Sequence, residues 1–437
     1  MKRALSVFFV LLVVASLALA GCQAAPPAAA APAAAPAADT ASSADAPAEM
    51  TAVIGLTASQ TGKYNVESTR QLNGLNLWIS QVNAAGGIAL ADGSMVKFDT
   101  KFYDDESNTD RVQELYTRLA TEDNADFLIS PYSSGLTDAS SVIAEQYGKV
   151  MITTGAASDS TYMKGYTLVY QAYTPASRYL TGAADLLAAT DASVKKIAVV
   201  HENDKFSTDV SNALQEYALA QGYEVVLFEG YDSGTTDFAP FINKIQDAAP
   251  DAIMGGGHFQ DGSTFAKQLF EKNVPIKYVA LLVAPPEPTF AELGDAALGI
   301  VGPSQWEPLV KFSQESAGEM EFFGPSSAEF TAAYMATYNE EPSYHAAGGF
   351  AAGLLLQKAI ESSGSLETQA VKEALDAVDM LTFFGNMKFD VTPDAHGLQI
   401  GHSMVYIQWQ KDDAGTLGKQ VVWPPAGATA PILYPIR

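Results

Sequence analysis

From about residue 52 to residue 378, short apolar runs alternate with longer amphipathic stretches, and that alternation leaves the chain few possible folds. Ala52–Leu56, Val96–Tyr103, Asp126–Ser130 and Lys149–Thr153 read as buried strands. Between the first two, Leu72, Leu75, Leu77, Trp78, Ile79 and Val82 recur near helical spacing, and Gly86-Gly87 stops the helix. Val112–Leu119 is helical, and a third helix starts near Gly135 and continues through Val142-Ile143-Ala144. Strands that alternate with helices build a parallel sheet with helices on both faces.

The pattern restarts after Tyr173-Thr174-Pro175. A helix over Leu180–Leu187 leads into strands at Lys196–Val200, Tyr223–Phe228, Ala252–Met254, Ile276–Val283 and Gly299–Val301, with Phe238–Asp247 helical among them. Long helices return at Ser326–Tyr338, Tyr344–Glu361 and Glu367–Val378. Asn386–Phe389 and Ser403–Gln410 then alternate as β-strands. The expected architecture is α/β, with two doubly wound, Rossmann-like lobes joined by a hinge of three crossings near Thr174, Pro303 and Leu381. Residues 50–174 and 304–381 form the first lobe, and 175–303 and 382–437 the second. In such sheets ligands bind beyond the C-terminal ends of the strands, and two facing lobes enclose a cleft for a small molecule.

The start of the chain reads as targeting sequence. Lys2-Arg3 is a basic region and Leu5–Ala20 an apolar one, followed by Leu19-Ala20-Gly21-Cys22. This resembles the lipobox of bacterial lipoproteins, which implies a signal peptide over 1–21, lipidation of Cys22 and an extracytoplasmic protein anchored to the cell membrane. Cys22 is the only cysteine, so an intramolecular disulfide and a cysteine metal site are both excluded. Residues 22–49 are rich in Ala and Pro, cannot bury apolar surface, and are expected to be a disordered tether. At about 3 Å per residue it would reach roughly 80 Å.

The net charge of −25 argues against nucleic acid and anionic lipid surfaces as partners. No second apolar run approaches the ~20 residues that span a membrane. Gly55–Lys63 fails as a phosphate loop, because six residues rather than four separate its glycines and Tyr64 follows the lysine. His201-Glu202 opens like a zinc-protease motif, but Lys205 stands where the second histidine must be. No Gly-x-Ser-x-Gly occurs, and the five histidines show no metal-ligand spacing. No cofactor, no metal and no catalytic set are expected.

The most informative stretch for function is Ala125–Gly135, a strand that runs into Ser133-Ser134-Gly135 at a helix start. Backbone N–H groups and hydroxyls there, with the positive end of the helix dipole behind them, hold an anion without a charged side chain. A serine at that place also serves simply as a cap for its own helix. Gly255-Gly256-Gly257-His258 likewise admits a sharp turn, or space cleared for a ligand with His258 closing the site. Trp306 packs in the hinge or lines the cleft.

With these residues in view, the chain resembles the type I solute-binding proteins of ABC importers, in the leucine/isoleucine/valine-binding group. The resemblance runs through Ile54-Gly55-Leu56-Thr57 and Thr61-Gly62, Asn83-Ala84-Ala85-Gly86-Gly87-Ile88, Tyr103-Asp104-Asp105, Ser133-Ser134, Gly155-Ala156 and Asp251-Ala252-Ile253. It implies the type I periplasmic-binding-protein fold, a small-molecule ligand, and ABC permease and ATPase subunits as partners. By the same resemblance Ser133, with Ser134 beside it, holds a ligand carboxylate. Ala156, Ala157 and Ser158 belong to the loop that offers a carbonyl, amide N–H groups and a hydroxyl. Phe206 and His258 close over the ligand from the second lobe, and Tyr64 faces the cleft from the first loop. A sensory receptor component for a small carboxylate or amide is the alternative use of the same fold.

One departure bears on the ligand. Amino-acid binders of the group carry an acid after the strand that here reads Lys277–Val283, and Leu281, Leu282 and Val283 occupy that place. A buried ammonium without a partner costs several kcal/mol. Either Glu67, Glu287 or another acid substitutes, or the ligand is a carboxylate, amide or urea-like solute without an α-amino group.

Overall fold

The computed structural model describes residues 48–436, which lie within one compact unit. The signal peptide over 1–21, Cys22 and nearly all of the tether fall outside the described residues. The first strand begins at Glu49, the last residue assigned to the tether.

The first sheet contains β1 (Glu49–Ala58), β2 (Ile88–Ala89), β3 (Met95–Asp104), β4 (Phe127–Ile129), β5 (Met151–Thr153) and β6 (Val169–Gln171). The chain continues with β7 (Lys196–Glu202), β8 (Glu224–Tyr231), β9 (Ala252–Gly256), β10 (Tyr278–Leu281) and β11 (Val301–Ser304). After these come β12 (Glu321–Phe322), β13 (Asp379–Thr382), β14 (Gly385–Lys388), β15 (Val405–Lys411) and β16 (Leu417–Trp423). The sheet orders are β2-β3-β1-β4-β5-β6, β16-β15-β11-β10-β9-β7-β8 and β12-β13-β14. Strands β1, β3, β4, β5 and β6 pair in parallel, as do β7 to β11. Strands β2, β15 and β16 run antiparallel to their neighbours, and of these β2 and β16 are edges. Strands β2, β6, β12, β13 and β16 were not expected; β2, β6 and β12 have only two or three residues, too few to show a period.

Both large sheets are covered on two faces. Phe127 and Ile129 of β4 point into one core with Trp78, Phe350 and Leu355, while Leu128 points into another with Tyr116 and Leu136. In the second lobe Val199 and Val200 divide in the same way. Strands buried on both faces lose alternation and read as continuous apolar runs.

The hinge is tied at one point. Thr174 N–H donates to Gln305 Oε1 at 2.9 Å, and Thr174 Oγ1 bonds His402 Nδ1 at 2.8 Å. The third crossing therefore lies at His402, beyond the expected Leu381. Strands β13 and β14 form a hairpin, and Phe383, Phe384, Met387 and Phe389 around it pack into the first lobe. The β alternation there marks a hairpin and not a change of sheet. Trp306 is fully buried in the same core against Phe330 and Phe383, which makes it a packing residue and not a cleft wall.

The helix Asn65–Ala84 lies backbone to backbone on the helix Tyr344–Ser363. A Cβ at Gly74 would stand 1.8 Å from the Ala346 carbonyl oxygen, and one at Gly349 2.0 Å from that of Gln71. Glycine permits this approach, which brings Glu67, Arg70 and Gln71 of one helix to the start of the other, at Tyr344-His345.

Candidate functional site

The loops after β1, β4 and β5 meet those after β7, β9 and β10, so the C-terminal ends of the two sheets face one another. Ser133 precedes the helix Ser134–Gln146 with extended backbone. Its hydroxyl does not cap that helix, is buried, and makes no hydrogen bond. The capping reading is thus not what the structure shows. The Tyr64 phenol is its polar neighbour, and burial, then the Asp204 charge, push the pKa of that phenol well above its ordinary value. Ser134 has a different task. Its Oγ accepts the N–H groups of Ala157 and Ser158, each at 3.1 Å, and so fixes the loop after β5. The Ala156 carbonyl accepts from Gln171 and Tyr162, both of the first lobe. The Ala157 methyl packs in the second-lobe core, and Ser158 Oγ is buried with no partner.

The second lobe contributes Phe206 and His258. The Phe206 ring lies 5.0 Å from Tyr179 and 5.8 Å from His258. His258 stands against Tyr64, 4.7 Å between centroids, and against Tyr132, 5.5 Å. Tyr64, Ser133, Phe206 and His258 are therefore brought together. Ser134, Ala156 and Ala157 belong to the wall that shapes the site.

Several residues that sequence reasoning left unassigned surround His258. Its Nε2 is 2.7 Å from Asp204 Oδ2, and its Nδ1 is 2.9 Å from the Tyr132 hydroxyl of the other lobe. Asp204 also caps its own helix, accepting the Ser207 N–H at 2.7 Å. Burial pulls the His258 ring down, but Asp204, with Glu202 and Glu67 nearby, outweighs it and holds the ring at about 9. Burial would raise Asp204; the His258 charge holds it at about 2. With the ring charged, Nε2–H donates to Asp204 and Nδ1–H to the Tyr132 oxygen. Glu202, Asp204 and His258 have ligand atoms within 4.8 Å of one another, the spacing of a divalent-ion site. In this arrangement a proton and Lys63, 2.7 Å from Glu202, neutralise the carboxylates instead. A Cβ at Gly257 would stand 2.7 Å from Glu202 Oε2, so glycine is what lets that carboxylate in. Burial and Glu202 raise the neighbouring Asp261 to about 6.

Four acidic or basic groups, Arg70, Glu287, His345 and Glu67, join the lobes more deeply. Arg70 pairs with Glu287, whose Oε1 accepts from His345 Nδ1 at 2.5 Å. Glu67 is fully buried, and its Oε1 accepts the Phe259 N–H at 2.9 Å. Glu287 is thus committed to structure, whereas Glu67 stands in the cleft. The sequence signal for Glu67 was its place one turn inside the helix that follows Tyr64. Beyond β10, Leu282 and Val283 are buried, and Val283 has φ +49°, a strained backbone for a β-branched residue. A cavity of about 140 Å³ lies at the cleft mouth, beside Lys63, Glu202, Gln260 and Asp261.

The sequence profile of the periplasmic binding protein family matches residues 51–414. Leu/Ile/Val-binding protein homolog 7 of Brucella melitensis is 25% identical over 399 residues, covering 89% of this chain and 96% of the relative. The branched-chain amino acid transporter substrate-binding protein of Streptococcus pneumoniae, solved in complex with isoleucine, superposes with a TM-score of 0.70 at 22% identity, over 86% of this chain and all of the other. A solute-binding protein of an R. palustris ABC transporter, solved with benzoate, gives 0.67 at 21% identity, over 88% and 98%.

Proposed function

This chain belongs to the periplasmic binding protein family, as a type I member of its branched-chain amino-acid group, and we propose that it captures a small amino acid or a related carboxylate or amide between its lobes and delivers it to an ABC permease. The family consists of solute-binding proteins. In this reading the protein works outside the cytoplasm, tethered through a lipid on Cys22, and the permease and its ATPase are its partners. Among the described residues no helix is long and apolar enough to cross a membrane.

The observation that carries the reading is Ser133. Its hydroxyl is buried and unbonded at the head of a helix, beside Tyr64 and His258. A ligand carboxylate placed there receives the hydroxyl and the favourable end of the helix dipole. Phe206 and Tyr64 supply apolar cover. The Tyr132–His258 contact must part to admit the solute and re-form over it, a hinge closure about the Thr174–Gln305–His402 tie.

Thermal denaturation of the purified protein with L-leucine, L-isoleucine, benzoate, 4-hydroxybenzoate, acetamide and urea tests this. A ligand at a hundredfold excess over its Kd stabilises the folded state by about 2.7 kcal/mol. At least one carboxylate or amide is expected to raise the melting temperature, with one site per chain by calorimetry. A flat response across the panel overturns the reading.

A further inference from the structure

Three buried hydrogen-bond acceptors of the first lobe, near Tyr132, have no donor. Glu67 uses Oε1 for Phe259, and its Oε2 has no partner. Gln71, one helical turn on and on the same face, donates Nε2 to the Ser130 carbonyl at 2.8 Å. That bond fixes the amide, and Gln71 Oε1 is buried with no partner. His345 gives Nδ1–H to Glu287; burial keeps the ring neutral, near 3, so its Nε2 is a bare lone pair, and it too has no partner. The three groups gather round Tyr132. The Tyr132 ring lies 5.0 Å from His345, and the Glu67 charge acts on its hydroxyl. A Cβ on Gly155 would stand 2.7 Å from Tyr132 Cδ2 and 2.8 Å from Gln71 Oε1.

Buried acceptors are nearly always satisfied, and an unsatisfied carboxylate oxygen is the costliest of them. The cations nearby are already engaged: Arg70 with Glu287 and Glu340, Lys63 with Glu202 and Ser233, His258 with Asp204. An ammonium group carries three N–H donors. We propose that Glu67, Gln71 and His345 form a nitrogen subsite for the ammonium group of an α-amino acid whose carboxylate sits at Ser133. Ser133 follows Tyr132 directly, so the two subsites adjoin. The acid for the ligand then comes from the first helix of the first lobe, while the second lobe presents Leu282 and Val283. This inference rests on the carboxylate reading given under Proposed function, and narrows its ligand class to solutes with a cationic nitrogen.

Calorimetry on paired probes tests it: L-leucine against 4-methylpentanoate, L-isoleucine against 3-methylpentanoate, and L-phenylalanine against 3-phenylpropanoate. The protein is expected to bind at least one amino acid about tenfold or more tighter than its des-amino partner. Glu67→Gln should cut that preference to within about threefold and leave the des-amino acid within about threefold of its original affinity. Equal binding of both partners by the unmodified protein, or an undiminished preference in Glu67→Gln, overturns the inference. Binding of benzoate, acetamide or urea with no amino acid bound overturns it and leaves the carboxylate or amide reading standing. No binding by any probe overturns both. Where Glu67→Gln does not fold, Gln71→Met removes a neutral acceptor and should lower the same preference by about threefold or more.

Discussion

The Tyr132 hydroxyl and His258 Nδ1 lie 2.9 Å apart, one from each lobe, and close the cleft between Ser133 and Asp204. The bond exists only when the lobes meet, so it adds to the closed state and not to either lobe alone. A typical intramolecular hydrogen bond contributes a net ~0.5–1.5 kcal/mol. Tyr132→Phe keeps the ring contacts and is expected to weaken ligand binding by about two- to tenfold, chiefly through faster dissociation. Stopped-flow release kinetics on the two proteins would show it; unchanged release means the contact does not latch the cleft.

His258 and its partner Asp204 set a pH dependence. His258 at about 9 in the folded protein, against an ordinary 6.5, contributes stability that is complete below pH 6.5 and lost as pH rises through 9. Asp204 at about 2, against 3.8, contributes stability that is complete above pH 3.8 and lost as pH falls through 2. Together they act fully between about pH 4 and 6.5. Asp261, raised to about 6, takes stability away as pH rises from 3.8 through 6, below the window that reports His258. The melting temperature should fall between pH 6.5 and 9, and His258→Gln should remove most of that fall. Parallel pH profiles for the two proteins would contradict the assignment.

Ser133 and Ser134 should separate cleanly. Ser133→Ala removes a hydroxyl with no internal bond, so stability changes little while affinity for a carboxylate ligand drops about two- to tenfold. Ser134→Ala leaves the buried N–H groups of Ala157 and Ser158 without their acceptor, at a cost of roughly 1–3 kcal/mol for each group left unsatisfied. Urea denaturation and calorimetry on both variants decide the matter.

Gly74→Ala would force the helix Asn65–Ala84 off the Ala346 carbonyl. Overpacking of this kind costs about 1–3 kcal/mol. Because the same helix carries Glu67 and Arg70 into the cleft, ligand affinity should fall together with stability. A variant of full stability and full affinity would show that the helices can separate freely.

Thr174→Val removes the hydroxyl that joins two crossings of the hinge and leaves His402 Nδ1 buried without it. The expected loss is about 1–3 kcal/mol in chemical denaturation. A wider spread of interlobe distances in small-angle scattering should accompany it. Loss of stability with no change in scattering would assign the bond to folding alone.

Much of the architecture was legible from the chain. Parallel strands buried on both faces read as Phe127-Leu128-Ile129 or Ile197-Ala198-Val199-Val200, and helices as spaced leucines, because burial on two faces and on one stripe leave different periods. The three-residue strand Val169–Gln171 was too short to carry a period. The half-buried Leu417–Trp423 shows a polar, mixed face that carries no strand period. Strand β14 is legible as β over Asn386–Phe389 but is assigned from sequence to the second lobe, because alternation says that one face is buried and not against what.

Local periodicity and turn chemistry are enough to specify the two α/β lobes, the strand-end loops and the serine at the head of the helix Ser134–Gln146. Packing in three dimensions is what leaves Ser133 free and Ser134 spent, buries Glu67 with an unmatched oxygen, and joins Tyr132, His258 and Asp204 in one chain of contacts. Those facts depend on groups 126 or 192 residues apart along the chain being brought to bonding distance. Hydrogen bonds and charges act over a few ångströms, so contact in space, which no local pattern records, selects which polar groups are used and which remain for a ligand.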